Sequence, residues 1–344
     1  MFKVFVVRCL FFFVFVGLQN VNAGEYEDAN VALDKKDYVT ALKKYKSAAL
    51  KNDLNAQAMV GSFYANDGYG VKKDYVESMY WYKMAAEKGL PSAQYSVGVM
   101  YAEGNGVKKD FSEALKWYKL AAEQNFERAQ FNIASMYLNG EGVETDNAKA
   151  AEYYKLSADN GSVLSNYNLG VMHQKGLGVP QDYAEAVRRY KLAALQGLAS
   201  AQTNLAFAYN SGNGVAKDVT EAVRWYKLAA LQGESIAQYN LALMYMNGSG
   251  VPQNYSEAFR LYKLSAIQGN ASAQSSLGVL YEKGQGVLQD FVRSHMWANL
   301  AAVNGYELAV RNRDIVASKM TSQQIAEAQR LAKECLARNF KNCD

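Results

Sequence analysis

The sequence predicts an all-α fold, a solenoid of antiparallel helix hairpins, on three observations. A glycine pair spaced two apart recurs every 36 residues, from Gly68 and Gly70 to Gly284 and Gly286. Apolar residues inside each copy fall at helical spacing, and the 344-residue chain holds 3 prolines. A fixed period of roughly 20–50 residues marks repeat architectures. Proline scarcity suits long helical runs, because an interior proline removes a hydrogen bond and clashes with the preceding turn.

The register is strict. Glycine pairs stand at Gly68/Gly70, Gly104/Gly106, Gly140/Gly142, Gly176/Gly178, Gly212/Gly214, Gly248/Gly250 and Gly284/Gly286, and a valine follows each second glycine. Ala-Gln pairs at Ala93-Gln94, Ala129-Gln130, Ala201-Gln202, Ala237-Gln238 and Ala273-Gln274 keep step. Ala56-Gln57 is shifted by one, which places a single extra residue between Tyr64 and Gly68.

The copy from Pro91 to Phe126 shows the design. Ala93, Val97, Met100 and Tyr101 share one face of a first helix; Phe111, Ala114, Leu115, Tyr118, Ala121 and Ala122 form the stripe of a second. Between them Gly104 and Gly106 permit positive φ, ending one helix and turning the chain. Asp110 and Glu113 have the spacing of a capping box, repeated at Asp74/Glu77, Asp182/Glu185, Asp218/Glu221 and Asn254/Glu257. Asp146 and Asp290 keep the cap without the Glu. Small residues at Gly98, Ala134, Gly170, Ala206, Ala242 and Gly278 let helices approach, and tyrosines fill the space beside them. A lone hairpin cannot bury such faces, so neighbours must stack.

The ends differ from the repeats. Residues 24–53 read as an N-terminal helical cap, 54–306 as seven repeats, and 307–344 as capping helices and tail, with Thr321 and Gln324 opening the last helix. Residues 1–23 read as a secretory signal peptide: Lys3 and Arg8, then the apolar run Leu10–Leu18, then Val21-Asn22-Ala23 at the cleavage position. The run is too short for a membrane span, which needs roughly 20 residues. The expectation is an exported protein, periplasmic before secreted. Cys335 and Cys343 are expected to form a disulfide in an oxidising compartment, two free thiols being the alternative.

The string from Ala93 to Gln124, AQYSVGVMYAEGNGVKKDFSEALKWYKLAAEQ, and its copies resemble the Sel-1-like repeat family, relatives of tetratricopeptide repeats. The resemblance implies a right-handed superhelix of antiparallel helix pairs that holds protein or peptide partners. Three positions depart from the pattern: His173 stands for the usual Tyr, and Arg189 and Leu261 stand where Trp81, Trp117 and Trp225 recur. The cysteines of the family's disulfide-rich subgroup are missing, so that subgroup's functions do not transfer.

Catalytic chemistry finds little purchase. The two histidines lack metal-ligand spacing, His173 being expected as a packed core residue. No Ser or Cys has a nucleophile context, and the recurrent acids are explained as caps. The Gly-x-Gly turns follow helices and lack the phosphate-loop setting. The formal charge of +4, or 4 − 2 = +2 without Lys3 and Arg8, provides no basic patch for nucleic acid. No cofactor and no metal are expected, and the chain is read as a monomer without a membrane span once the signal is cut.

The candidate binding surface is the side of the first helices away from the core stripe. One row holds Tyr95, Phe131, Tyr167, Thr203, Tyr239 and Ser275; a second holds Val99, Ser135, Val171, Phe207, Leu243 and Val279. Leu138 and Met246 lie beyond, and Asn132, Asn168, Asn204 and Asn240 alongside. Apolar residues on a side expected to be polar suggest a concave groove for a peptide; burial between neighbouring first helices is the alternative. The asparagines suit either a bound backbone or a ladder between repeats. A non-enzymatic scaffold is the leading expectation, with a cell-envelope hydrolase acting on peptidoglycan or β-lactams, or a purely structural envelope component, as alternatives.

Overall fold

Helix boundaries follow directly from the residues that can satisfy or release backbone groups. In the computed structural model, which describes residues 23–303, 305–340 and 343, the described elements are eighteen α-helices joined by short turns. The expected signal segment lies outside the described residues except for Ala23, where the first helix begins. Among the described residues no helix is long and apolar enough to cross a membrane.

The helices fall in two compact units, one running through Ile133 and including Glu141–Glu144, the other comprising Ala134–Gly140 and everything from Thr145. In the first, α1 (Ala23–Asp34) and α2 (Tyr38–Leu50) form the opening hairpin, followed by α3 (Leu54–Ala65) with α4 (Tyr75–Glu87) and α5 (Pro91–Glu103) with α6 (Phe111–Ala122). The unit boundary falls inside α7 (Glu127–Asn139). In the second unit, α8 (Asn147–Asp159) leads into hairpins α9 (Val163–Lys175)/α10 (Tyr183–Leu195), α11 (Ala199–Ser211)/α12 (Val219–Leu231), α13 (Ser235–Asn247)/α14 (Tyr255–Ala266) and α15 (Ala271–Lys283)/α16 (Phe291–Val303). Helices α17 (Glu307–Ala317) and α18 (Ser322–Ala337) both pack on α16.

Each second helix starts at an acid or amide whose side chain accepts backbone N–H bonds. Asp110 accepts from Glu113 N at 3.0 Å, and Asp182, Asp218, Asn254 and Asp290 do the same. Filling these orphan donors is worth about 1 kcal/mol per helix. Thr321 and Gln324 close a full capping box on α18. At the other starts the Glu turns forward instead: Glu77 and Glu221 accept from the indoles of Trp81 and Trp225, and Glu185 and Glu257 pair with Arg188 and Arg260. A cation or indole N–H one turn ahead competes successfully for the carboxylate.

Gly104 ends α5 in the left-handed region at φ 79°, and Gly106 follows at 71°. A Cβ on Gly106 would lie 2.4 Å from the carbonyl oxygen of Tyr75, so the second glycine is needed for close approach to α4 as well as for its backbone angle. The extra residue before Gly68 leaves Asn66 ending α3 in extended backbone at φ −119°.

Stacking uses two repeated devices. Tyrosines of the second helices seat on the small residues: a Cβ at Gly98 would fall 2.6 Å from the Tyr118 ring, and at Gly170 2.7 Å from that of Tyr190. The glutamine of each Ala-Gln pair is buried and donates to a carbonyl near the end of the preceding helix, as Gln94 to Ala86 and Gln202 to Ala194, both at 3.2 Å. Gln232 and Gln268 extend the chain to Gln202 and Gln238 at 2.8 Å. These amides give a second donor to last-turn carbonyls that also accept the backbone N–H three residues on, as Ala86 does from Gly89 and Ala194 from Gly197. At the C-terminus Cys335 and Cys343 are joined in a disulfide with Cα atoms 5.0 Å apart, both buried against the second unit's core.

Candidate functional site

The outward side of the first helices follows from helical spacing: with Ala93, Val97 and Met100 buried on one face of α5, Tyr95 and Val99 fall on the other. The aromatic members of the first row are half-buried. Tyr95 packs its ring 5.7 Å from Tyr118 and 5.3 Å from Phe126 in the first unit. In the second unit Tyr167 lies 6.0 Å from Tyr190 and Tyr239 5.7 Å from Tyr262. Thr203 and Ser275 in this row are buried. Phe131, Leu138 and Met246 are half-buried, Met246 against the core of the second unit.

The second row is more open. Phe207 is 48% exposed and Leu243 41% exposed, while Val99, Val171 and Val279 are half-buried. The two large open side chains stand on α11 and α13, consecutive first helices of the same unit.

The asparagines are tied into the stack. Asn132 lies beside the hydroxyl of Tyr118, Asn168 beside that of Tyr154, and Asn204 beside those of Tyr190 and Tyr167, while Tyr154 also pairs with the Ser135 hydroxyl at 3.1 Å and Tyr190 donates to Gln174 at 2.6 Å. Each of these three stands between a first helix and the second helix of the preceding repeat; Asn240 is half-buried on α13. Burial pushes the phenols of Tyr118 and Tyr190 up from their ordinary range.

His173 departs from expectation. It is half-buried rather than packed in the core, and its Nδ1 is buried without a hydrogen-bond partner. It lines an open cavity of about 470 Å³ together with Arg189. The Arg189 side chain is 8% exposed; its Nε donates to Glu185 at 2.7 Å and Nη1 to Asn166 at 3.3 Å. Arg188 and then Arg189 hold the Glu185 carboxyl far below the usual range, at about 2. Sequence reading noticed His173 and Arg189 singly; the break in the Ala-Gln series at Ser165-Asn166 was the signal that could have joined them. Among the described residues no group of three His, Cys, Asp or Glu side chains could hold a metal ion.

These hairpins define an all-α repeat protein of solenoid class, in which each helix packs chiefly on its sequence neighbours. The Sel1 repeat model matches seven consecutive segments, 54–90, 91–126, 127–162, 163–198, 199–234, 235–270 and 271–306, and the chain belongs to the Sel1 repeat family. It is similar to a Sel1 repeat protein from Oxalobacter formigenes, with 35% identity over 70% of this chain and 98% of that one and a TM-score of 0.64. It also matches c5321, a protective antigen present in uropathogenic Escherichia coli strains, at 29% identity over 94% of this chain and 85% of that one, with a TM-score of 0.47. Among curated proteins none matches. Sel1 repeat proteins are in general scaffolds for protein interaction.

Proposed function

We propose that the chain is a non-enzymatic, exported scaffold that binds a protein partner through the outward side of its first helices, with Phe207 and Leu243 as the principal apolar contacts. The observation that carries this reading is the exposure of these two large side chains on consecutive first helices, beside half-buried Tyr167 and Tyr239. Exposed apolar groups in a row favour a partner segment that offers apolar side chains at matching intervals. Within the second unit half-buried Leu138 and Met246 lie on the same side of the first helices, with Asn168 and Asn240 alongside; Tyr95, Phe131 and Asn132 hold the equivalent positions in the first unit. Asn132 and Asn168 lie beside tyrosine hydroxyls, which makes these two supports of the surface rather than its main contacts. The disulfide between Cys335 and Cys343 favours an oxidising compartment, in keeping with the N-terminal signal reading.

The surface is tested by placing a photocrosslinking amino acid at position 207 in cells. A defined protein adduct is expected, lost when Leu243→Asp is added and absent when the label sits at Leu231 on α12, which is 85% exposed. Equal labelling from both positions would refute the assignment. Phe207→Asp and Leu243→Asp should leave melting within about 0.5 kcal/mol of the parent, as for open surface positions. Tyr167→Ala is unsuitable for this purpose, because its ring packs on Tyr190 and its loss destabilises by roughly 1–3 kcal/mol.

A further inference from the structure

The repeat over residues 163–198 breaks the pattern three times, and the structure brings the three breaks together. Every other repeat places a tyrosine late in the first helix: Tyr64, Tyr101, Tyr137, Tyr209, Tyr245 and Tyr281. The partner position in the second helix is Trp81, Trp117, Tyr153, Trp225, Leu261 or Trp297. Tyr137 and Tyr153 show the arrangement, their rings stacked 6.0 Å apart at 16°. In this repeat the pair is His173 and Arg189, and Asn166 stands where the buried glutamine should be. Asn166 accepts from the Arg189 guanidinium, which also takes the Glu185 carboxylate that an indole N–H occupies at Trp81 and Trp225.

The substitutions leave a space. Two bulky aromatic groups are replaced by a smaller ring and a flat guanidinium held down by two bonds, and an open cavity of about 470 Å³ lies against both. Its apolar walls come from Ala151, Leu169 and Val179. Its charges balance: Lys155 and Arg189 face Glu152 and Glu185. An apolar, charge-neutral space with a buried planar cation on its wall favours an uncharged aromatic group, which stacks on a guanidinium and fills apolar volume at once. Cavities of this size lie within the range of binding sites for small groups, roughly 300–1,000 Å³.

We propose that this cavity is a binding pocket for an aromatic side chain, Trp or Tyr, of a partner protein, which supplies from outside the aromatic that every other repeat carries at one or both of these positions. The inference deepens the scaffold reading by naming an anchor of the partner, and it concerns a site separate from Phe207 and Leu243. Buried aromatic anchors of this kind dominate the energy of protein interfaces.

The chain has two histidines, so their ring signals can be followed one by one in ¹H–¹³C NMR spectra. Titration with N-acetyl-L-tryptophanamide should shift the His173 signals saturably, with a Kd of roughly 0.1–1 mM for a ligand of this size. His295, 3% exposed, should not move. Arg189→Trp fills the pocket from within, so it should abolish the shift and raise the melting midpoint by a few degrees. Overturning results are an unmoved His173 at about ten times that concentration, an undiminished shift in Arg189→Trp, or a response to N-acetyl-L-aspartate amide instead of the aromatic amide. None of these results bears on crosslinking from position 207, so the two readings fail separately.

Discussion

Two kinds of glycine are distinguishable at the level of single residues. Gly233 has φ 88° and open space where a Cβ would go, whereas Gly106 has φ 71° and the Tyr75 carbonyl 2.4 Å from that point. Backbone strain alone applies to Gly233→Ala, about 1–2 kcal/mol. Gly106→Ala adds a backbone collision that no side-chain rotation relieves, and a loss of roughly 3 kcal/mol or more is expected. Urea unfolding of the two variants measures the difference; equal losses would mean that the turn, not the approach of α4, demands the glycine. The sequence period marked Gly106 as a turn position without showing the close approach behind it, because a period records a requirement and not its cause.

Among the elements, the second helices are begun by side chains and the first helices in more varied ways. Leu90, Leu198 and Glu234 make no side-chain cap at α5, α11 and α13, while every second helix from α2 to α14 for which a start is defined has one. The buried glutamines provide the alternative anchorage. Asp110→Ala should destabilise by about 1 kcal/mol. Gln238→Leu should cost more, roughly 1–3 kcal/mol, since it removes both hydrogen bonds of a buried amide, the one given to the Ala230 carbonyl and the one accepted from Gln268. Chemical denaturation with amide exchange at α12 and α13 checks both. The capping acids were legible from their spacing with the following Glu. The forward turn of those Glu residues toward Trp or Arg was not, because it depends on which of two nearby donors wins after folding.

On the scale of the molecule, the tyrosines couple stability to pH. Burial raises the phenols of Tyr45, Tyr82 and Tyr118 in the first unit and Tyr190, Tyr226 and Tyr262 in the second, Tyr82 to about 12. An acid whose folded pKa exceeds its unfolded value binds its proton more tightly when folded. That contribution is complete below about pH 10, the unfolded value, and is lost as pH rises through the folded values. Helicity should therefore fall cooperatively above about pH 10, together with the appearance of tyrosinate absorbance. Tyrosinate absorbance that rises fully at pH 10 with helicity unchanged would contradict the burial.

The period, the glycine pairs and the apolar stripes determined the repeat count and the all-α class by themselves, because each hairpin's surfaces are self-complementary only to another copy. The same pattern marked the rows that hold Tyr95, Tyr167 and Phe207, but rows alone do not distinguish a ring lying on a neighbour from one standing free. Packing decided that Tyr167 rests on Tyr190 while Phe207 stays open, and it set Asn168 beside the Tyr154 hydroxyl of the preceding helix. Tertiary structure alone set His173 and Arg189 on one cavity with Asn166 holding the guanidinium, since residues 23 apart in sequence meet only when the two helices of a hairpin fold back on each other.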